Sequence, residues 1–555
     1  MSEEKKPRVQ FGIRSLLILI TLSAVGFSVY RRYTAYLAID AIQKKAQFVR
    51  PQPKAQGWRR LYSNDVYRVH HLSFHSSFGV TDDDVAAITR LPWIRRLSLH
   101  RTEVTDAACA YVAKLKLLEA VSFEQTKVTD AGLAQLQDLK KLKSVSLNRL
   151  PAVSQQGLEY LSGMTEMEEL LLSGTSADSL EFVRNMPKLR RLELGSNVQL
   201  GGDSLAYLRD KNELQKLSLL RIAANNEDFR NLHHARKLHV LRLHNTNLRN
   251  LHSETWQHLS GLQKLWIDCS GLFHMEDHDM IQSIEVSGAL TDVSLRTLPN
   301  LTRVRFRPID TNDPTTSLSI ENCRNLAHLT VNNFRHVRIA NLPALRSLSL
   351  YNHDSLSLEG LSLLQQLNVF DSQLNDSLMD ELIERVNATN IVALRFDACE
   401  IPDVRVLERL LALRRLKTLD FRSYRNQQMV PLPTAQRDLL AEILPKFSSL
   451  HRIVLSKEMT NAKNIHALGE ISSLKQIELQ IPPESDVSKT DYTSLLQLPN
   501  LETLVVWPYV RHENGGIGWA QVTYQSISAK RAQYPVNNPR EKRIQVNGRN
   551  FAILQ

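Results

Sequence analysis

The chain has 555 residues, 43% of them hydrophobic and 23% charged, a composition that excludes global disorder and collagen-like fibres and leaves either several domains or one long repeat array. The net charge of +11 is terminal: residues 1–60 carry +9 and residues 511–555 carry +5, which leaves residues 61–510 at −3. A phosphate-backbone binder spreads positive charge over its working surface, so nucleic acid is not expected as a partner.

In chain order, a basic tail (1–10) precedes the apolar run FGIRSLLILITLSAVGFSVY (11–30). Between Ser15 and Tyr30 there is no charge, and about 20 residues suffice to span a hydrocarbon core, so the segment reads as a transmembrane helix. The competing reading is a cleaved signal peptide with Lys5, Lys6 and Arg8 as its basic region. Against it stand the long apolar run, Arg31-Arg32 directly after it, and the lack of a small-x-small cleavage site. Lys5, Lys6, Arg8 and Arg14 on one side nearly balance Arg31, Arg32, Lys44 and Lys45 on the other, so charge asymmetry does not set orientation. A short cytoplasmic N-terminal tail would put the main body on the extracytoplasmic side. Residues 31–65 are expected to form a juxtamembrane helix and linker, broken by Pro51 and Pro53 and basic enough to touch anionic headgroups.

From Val69 onward the pattern L-x-x-L-x-L-x-x-T/N recurs, as in IRRLSLHRT (94–102), LEAVSFEQT (118–126), LRRLELGSN (189–197) and LHVLRLHNT (238–246). The last residues of successive units (Ser77, Thr102, Thr126, Leu150, Thr175, Asn197, Ile222, Thr246, Ser270) keep a period near 24, a self-similarity hard to reach by chance. Ala289, Ile309, Phe334, His353, Ser372, Cys399, Tyr424, Glu458, Pro482 and Tyr509 mark later, less regular units, about nineteen in all over 66–510. These residues resemble the leucine-rich-repeat family. Thr126–Leu147 (TKVTDAGLAQLQDLKKLKSVSL) resembles the variant whose spacer reads V-T-D-x-G-L-x-x-L, and anchor plus repeats resemble single-span bacterial proteins of that family. The resemblance implies an α/β solenoid with a curved parallel sheet on its concave side, helices or 3₁₀ turns on its convex side, and recognition as its general function.

The spacing accounts for each unit. The two leucines of L-x-L share one strand face and point inward, while the residues between them point to the concave face. Thr129 or Asp130 caps the following helix, and Leu133, Leu136 and Leu139 supply its apolar stripe. One unit cannot bury its own leucines, so neighbours must. The units of 19–20 residues leave too little chain for a helix, and their outer side is expected to be extended or 3₁₀. Residues 511–555 fit no repeat and read as a basic C-terminal cap or tail.

No P-loop, GxGxxG, GxSxG or HExxH is present, and no catalytic residue, metal or cofactor is assigned. His274, Glu276, Asp277, His278 and Asp279 form the nearest metal-like cluster; on a helix the two histidines would share a face, which leaves a divergent enzyme as the least favoured reading. His70, His71 and His75 alternate across the first strand. Cys109, Cys269, Cys323 and Cys399 are isolated and read as small apolar side chains. The concave positions Arg242 and His244, Trp266 and Asp268, Glu285 and Ser287, Arg303, Arg305 and Arg307, Tyr351, then Asn368 and Phe370 form successive rows. Arginine and large aromatics anchor interfaces, so Arg242, His244, Trp266, Asp268, Arg303, Arg305, Arg307, Tyr351 and Phe370 are the candidate partner-binding patch. The plainer alternative pairs Arg305 with Glu285. Arg395, Asp397, Asp420 and Arg422 read as charge pairs that fix register. The expected function is a membrane-anchored, non-catalytic scaffold for a protein or peptide; a polysaccharide or cell-envelope attachment role on the same face is the second reading.

Overall fold

The computed structural model describes residues 13–43, 48–50, 69–74, 79–308, 313, 315–385, 390–422, 433–481, 492–511, 517–519, 522–527, 541–546 and 549–554. The chain divides into two compact units: residues 1–248 with 266–268, and residues 249–265 with 269–555.

The first unit opens with a helix, Ile13–Gln43, that runs unbroken through the boundary expected at residue 30. Its C-terminal part packs on helix Asp82–Ile88, burying Ala35, Ala38 and Ile39, so it covers the end of the repeat array. Among the described residues no helix is long and apolar enough to cross a membrane. The side chains of residues 13–22 and 25 lie outside the described residues.

The repeats follow the leucine spacing. Leu72, Leu97, Val121, Val145, Leu170, Leu192, Leu217 and Leu241 are register partners across successive parallel strands, and all are buried. Each removes apolar surface that only its neighbours in the stack can cover, worth about 1.5–3 kcal/mol before ordering costs. The marker threonines close the turn after the strand: Thr102, Thr126 and Thr175 donate their hydroxyls to Leu99, Phe123 and Leu172 carbonyls at 2.8, 2.7 and 2.9 Å. Arg101, Gln125 and Arg149 turn the corner with φ of 57°, 56° and 59°. That conformation is costly for residues with a Cβ. It is held because each N–H donates to the next coil, to Glu124, Asn148 and Ser173 carbonyls.

On the outer side, helices Asp82–Ile88, Asp106–Val112, Asp130–Leu136 and Gln155–Glu159 give way to 3₁₀ turns such as Glu181–Val183 and Gly202–Leu208. The V-T-D sequence divides its tasks between coils. Thr129 caps its own helix, accepting from the Ala131 N–H. Asp130 instead reaches forward and accepts from the Ser154 N–H (2.8 Å) and hydroxyl (2.6 Å) of the next coil. Asp82 and Asp106 do the same for Thr105 and Thr129.

In the second unit the short coils replace helix by strand, as their length requires. Six strands (Arg249–Leu251, Ser270–Glu276, Leu290–Arg296, Ser317–Glu321, His336–Ala340, Ser355–Glu359) stack in parallel as an outer sheet. The inner sheet runs through Ser283–Gly288, Arg303–Pro308, His328–Asn332, Ser347–Tyr351 and Gln366–Phe370, then through the longer coils from Ala393–Asp397 to Thr503–Arg511. Leucine, isoleucine and valine from both sheets face each other, with Trp256, Phe273, Phe306 and Phe334 among the largest buried groups. Corners of the outer strands take positive φ at Asp277, Thr297, Asn322, Asn341 and Gly360, and Asn341 donates to Asn322 Oδ1 at 3.1 Å along the stack. Asparagine and aspartate tolerate that region better than branched residues. The outer sheet ends where the Leu358 N–H finds the buried Glu381 carboxylate at 2.8 Å and helix Asp376–Asp380 takes over. Past residue 510 the strands Val522–Ile527, Arg549–Leu554 and Glu541–Val546 pair antiparallel beside the last repeat strand.

The four cysteines are all buried, and none forms a disulfide.

Candidate binding surface

The alternation within each strand decides which side chains are presented. In the first unit Leu241 and Leu243 are buried while Arg242 is exposed and His244 is half-buried. The Arg242 guanidinium lies over the Trp266 ring, 4.3 Å from its centroid, a cation–π contact that leaves a flat, amphipathic pair on the inner face. His244 and Asp268 play a different part. Asp268 accepts from the Asn245 N–H at 2.7 Å, supporting the positive-φ corner there, and its other oxygen lies 3.2 Å from His244 Nδ1. Those two residues hold the corner, and Arg242 and Trp266 remain as the presented pair.

In the second unit Arg303, Arg305 and Arg307 are exposed along strand Arg303–Pro308, with Val304 and Phe306 buried between them. Arg307 meets Glu285 at 3.0 Å and Arg305 stands 3.9 Å from its second oxygen. The pairing expected between Arg305 and Glu285 is thus present, with Arg307 the closer partner. One carboxylate faces two guanidiniums, and the exposed pairs contribute at most about 1 kcal/mol each. Thr330 and Ser349 follow Arg305 in register, and beyond them Tyr351 stacks on Phe370 with centroids 3.9 Å apart and rings parallel. Asn368 sits on the same strand face as Phe370 and donates to the Ser349 hydroxyl at 2.9 Å. Arg395 covers the Phe370 ring at 5.2 Å and is itself tied to Asp397 at 2.6 Å.

The charge pairs farther along form a wider network than the sequence suggests. Arg422, just past strand Thr418–Asp420, binds Asp420 at 3.0 Å and reaches Glu478 at 2.9 Å, two strands on. Glu478 also meets Arg452 at 3.2 Å and accepts from Trp507 Nε1 at 2.9 Å. Burial pushes the Asp420 carboxyl up, against the pull of Arg422, Arg395 and Arg452. Neither Glu478 nor Trp507 stood out in the sequence. Their alternation with buried neighbours is the only signal they carry, and each one's partner (Arg422 for Glu478, Glu478 for Trp507) lies far away along the chain.

The metal-like cluster is corrected. His274 lies on an outer strand, not a helix, and its Nε2 is 2.8 Å from Asp292. His278 follows the corner at Asp277, is buried, and places Nε2 3.0 Å from the Leu259 carbonyl. The unit is too short to close helical turns, so spacing by four does not bring the rings together. Among the described residues no group of three or more His, Cys, Asp or Glu side chains is placed to hold a metal ion. His70 sits 3.3 Å from the Trp93 carbonyl, His71 is half-buried, and His75 lies outside the described residues.

The architecture is that of a leucine-rich-repeat solenoid, read from the strand registers and the recurring buried leucines. No protein-family model matches the sequence, and no curated protein is similar to it. Among solved structures, an internalin from Listeria monocytogenes is 18% identical, covering 71% of this chain and 95% of its own at a TM-score of 0.39. The plant peptide hormone receptor RGFR1, in complex with RGF2, is 15% identical over 79% and 74% at 0.40. A leucine-rich-repeat protein of Leptospira interrogans is 14% identical over 79% and 98% at 0.33. Each superposes loosely.

Proposed function

We propose that this protein is a membrane-anchored, non-catalytic scaffold that binds a protein or peptide on the inner strand face of its repeats. The observation that carries the reading is the second unit's surface: three exposed arginines, two of which share the Glu285 carboxylate, two small polar rows, then the Tyr351–Phe370 stack. Arginine and aromatic side chains on a rigid ladder are the groups that anchor partners with least loss of freedom. The Arg242–Trp266 pair of the first unit offers a second anchor of the same kind.

The anchor reading rests on helix Ile13–Gln43. Phe27, Val29 and Tyr30 are 63%, 59% and 64% exposed on it, beside Arg31 over the Phe27 ring. Large apolar groups turned to water together mark a surface that meets something else, and aromatic and arginine side chains suit a membrane interface. On this reading the repeats lie on the extracytoplasmic side.

Two experiments test these readings. Charge reversal, Arg305→Glu with Arg307→Glu, is expected to abolish partner capture while thermal unfolding stays unchanged; undiminished capture would remove the site. Protease treatment of intact cells and spheroplasts, read with an epitope near residue 400, is expected to cut the tagged repeats; full protection would place them inside.

A further inference from the structure

The second unit contains a step that the anchor does not use and that meets the partner surface only at Tyr351. The register advances 19 residues from Tyr351 to Phe370 but 27 from Phe370 to Asp397. After Tyr351 the chain turns at once into outer strand Ser355–Glu359; after Phe370 it enters helix Asp376–Asp380. The two loops part, and between them lies an open groove of about 990 Å³. That is the upper end of the usual range for ligand sites, about 300–1,000 Å³.

The chemistry of the walls selects among ligands. Apart from Leu356, Leu378 and Ala398 the lining is polar, the opposite of a pocket that works by burying apolar surface. No lysine or arginine lines it, and the adjacent Arg335 is paired with Asp354, so a phosphate or carboxylate ligand would meet little counter-charge. The carboxamides of Asn333, Asn352, Gln373 and Asn375 line it; Arg335 holds Asn352 Oδ1, the Leu378 N–H holds Asn375 Oδ1 and Glu400 holds the Gln373 amide, which leaves the opposite end of each to a ligand, and Asp371 and Glu400 accept. The Asn333 side chain has no hydrogen bond to the protein among the described residues, and Asn332 Oδ1 in the same wall is buried without one.

The walls are also fixed. Asn333, Asn352, Asp371 and Ala398 all take positive φ, and their N–H groups donate to the next coil at 3.0–3.1 Å. Gln373 is tied to Glu400 at 3.2 Å, and Ser372 Oγ lies 3.0 Å from His353 Nδ1. A pre-formed set of mixed donors and acceptors loses little freedom on binding. Neighbouring ring hydroxyls, each able to donate and accept, complement such a set; an anion does not.

We propose that this groove binds the hydroxyl-rich end of a neutral glycan, at a site that shares Tyr351 with the inner-face partner surface but none of its arginines. The test uses the full chain purified in a detergent without a sugar headgroup, titrated calorimetrically with maltotriose, cellotriose and triacetylchitotriose. Saturable millimolar binding of at least one is expected. Ser377→Trp, at an exposed groove position, is expected to weaken it roughly tenfold or more with unchanged thermal unfolding, as is Gln373→Leu. Arg305→Glu with Arg307→Glu is expected to leave it intact, which separates this site from the inner-face arginines. No binding of any trisaccharide, binding indifferent to both groove substitutions, or binding of pentalysine alone through simple acidity would overturn the proposal.

Discussion

Gly157 sits directly against Asp130 of the preceding coil: a Cβ at residue 157 would come within 2.0 Å of Asp130 Oδ1. The same holds for Gly132 against Asp106, at 2.5 Å. The glycine of the V-T-D-x-G spacer is therefore there to admit its neighbour's carboxylate, which in turn holds the N-cap residue of the glycine's own helix.

The pair can be tested by a double-mutant cycle. Gly157→Ala is expected to destabilise the protein by about 1–3 kcal/mol through overpacking and displacement of Asp130 from Ser154. Asp130→Ala is expected to cost a similar amount, and the double variant clearly less than the sum, because the clash vanishes with the carboxylate. Strict additivity in denaturant unfolding would show that the two do not interact.

The strand alternation makes a sharper prediction. Leu219 is fully buried and Ser218 faces out. Leu219→Asp is expected to cost roughly 4 kcal/mol or more, since an unpaired carboxylate would be buried, whereas Ser218→Asp should stay within about 0.5 kcal/mol. Equal losses in denaturant unfolding would contradict the register.

How much of this was legible in the sequence depends on how far apart the interacting residues lie. The alternation that buries Leu217 and Leu219 is local, and the repeat period fixes which coil covers which, so the leucine ladder was readable. The extended outer side of the short coils was readable too, from length alone. The Asp130–Gly157 fit and the Arg422–Glu478 contact join residues 27 and 56 apart in different coils, and no local pattern announces them. His274 and His278 do not share a face because the chain there is strand and corner, where residues four apart are not brought together as on a helix. Of the candidate patch, Arg242, Trp266, the three arginines, Tyr351 and Phe370 are presented, while His244 and Asp268 are taken up by a corner whose positive φ at Asn245 the sequence does not display.

Glu478 offers a contrast between buried and exposed charges. It receives Arg422, Arg452 and Trp507, and its side chain and that of Arg422 are largely buried. Glu478→Leu is expected to cost about 3 kcal/mol, because it removes the carboxylate that Arg422 and Arg452 share and leaves the largely buried Arg422 to Asp420. Removing the exposed partner of Lys188 with Glu166→Ala should stay within about 1 kcal/mol, despite its contact at 2.6 Å. Comparable losses in denaturant unfolding would refute the assigned role of the network.

His353 predicts a pH window. Burial pushes its imidazole down to about 4 from an ordinary 6.5. Between these values the unfolded chain binds the proton and the folded one does not. Stability from this group is therefore complete above about 6.5 and falls as pH drops toward about 4. His353→Asn is expected to flatten that part of the stability–pH curve; an unchanged slope would show that the imidazole titrates alike in both states.

The central claim, that the inner strand face is where a partner docks, is most directly tested by site-specific photo-crosslinking in cells. A photoreactive residue at Arg305, on the inner sheet, is compared with one at Ser357, on the outer sheet of the same unit. The account predicts a discrete crosslinked partner from position 305, reproduced with the two purified proteins, and none from 357. Crosslinks from 357 with none from 305 would contradict it.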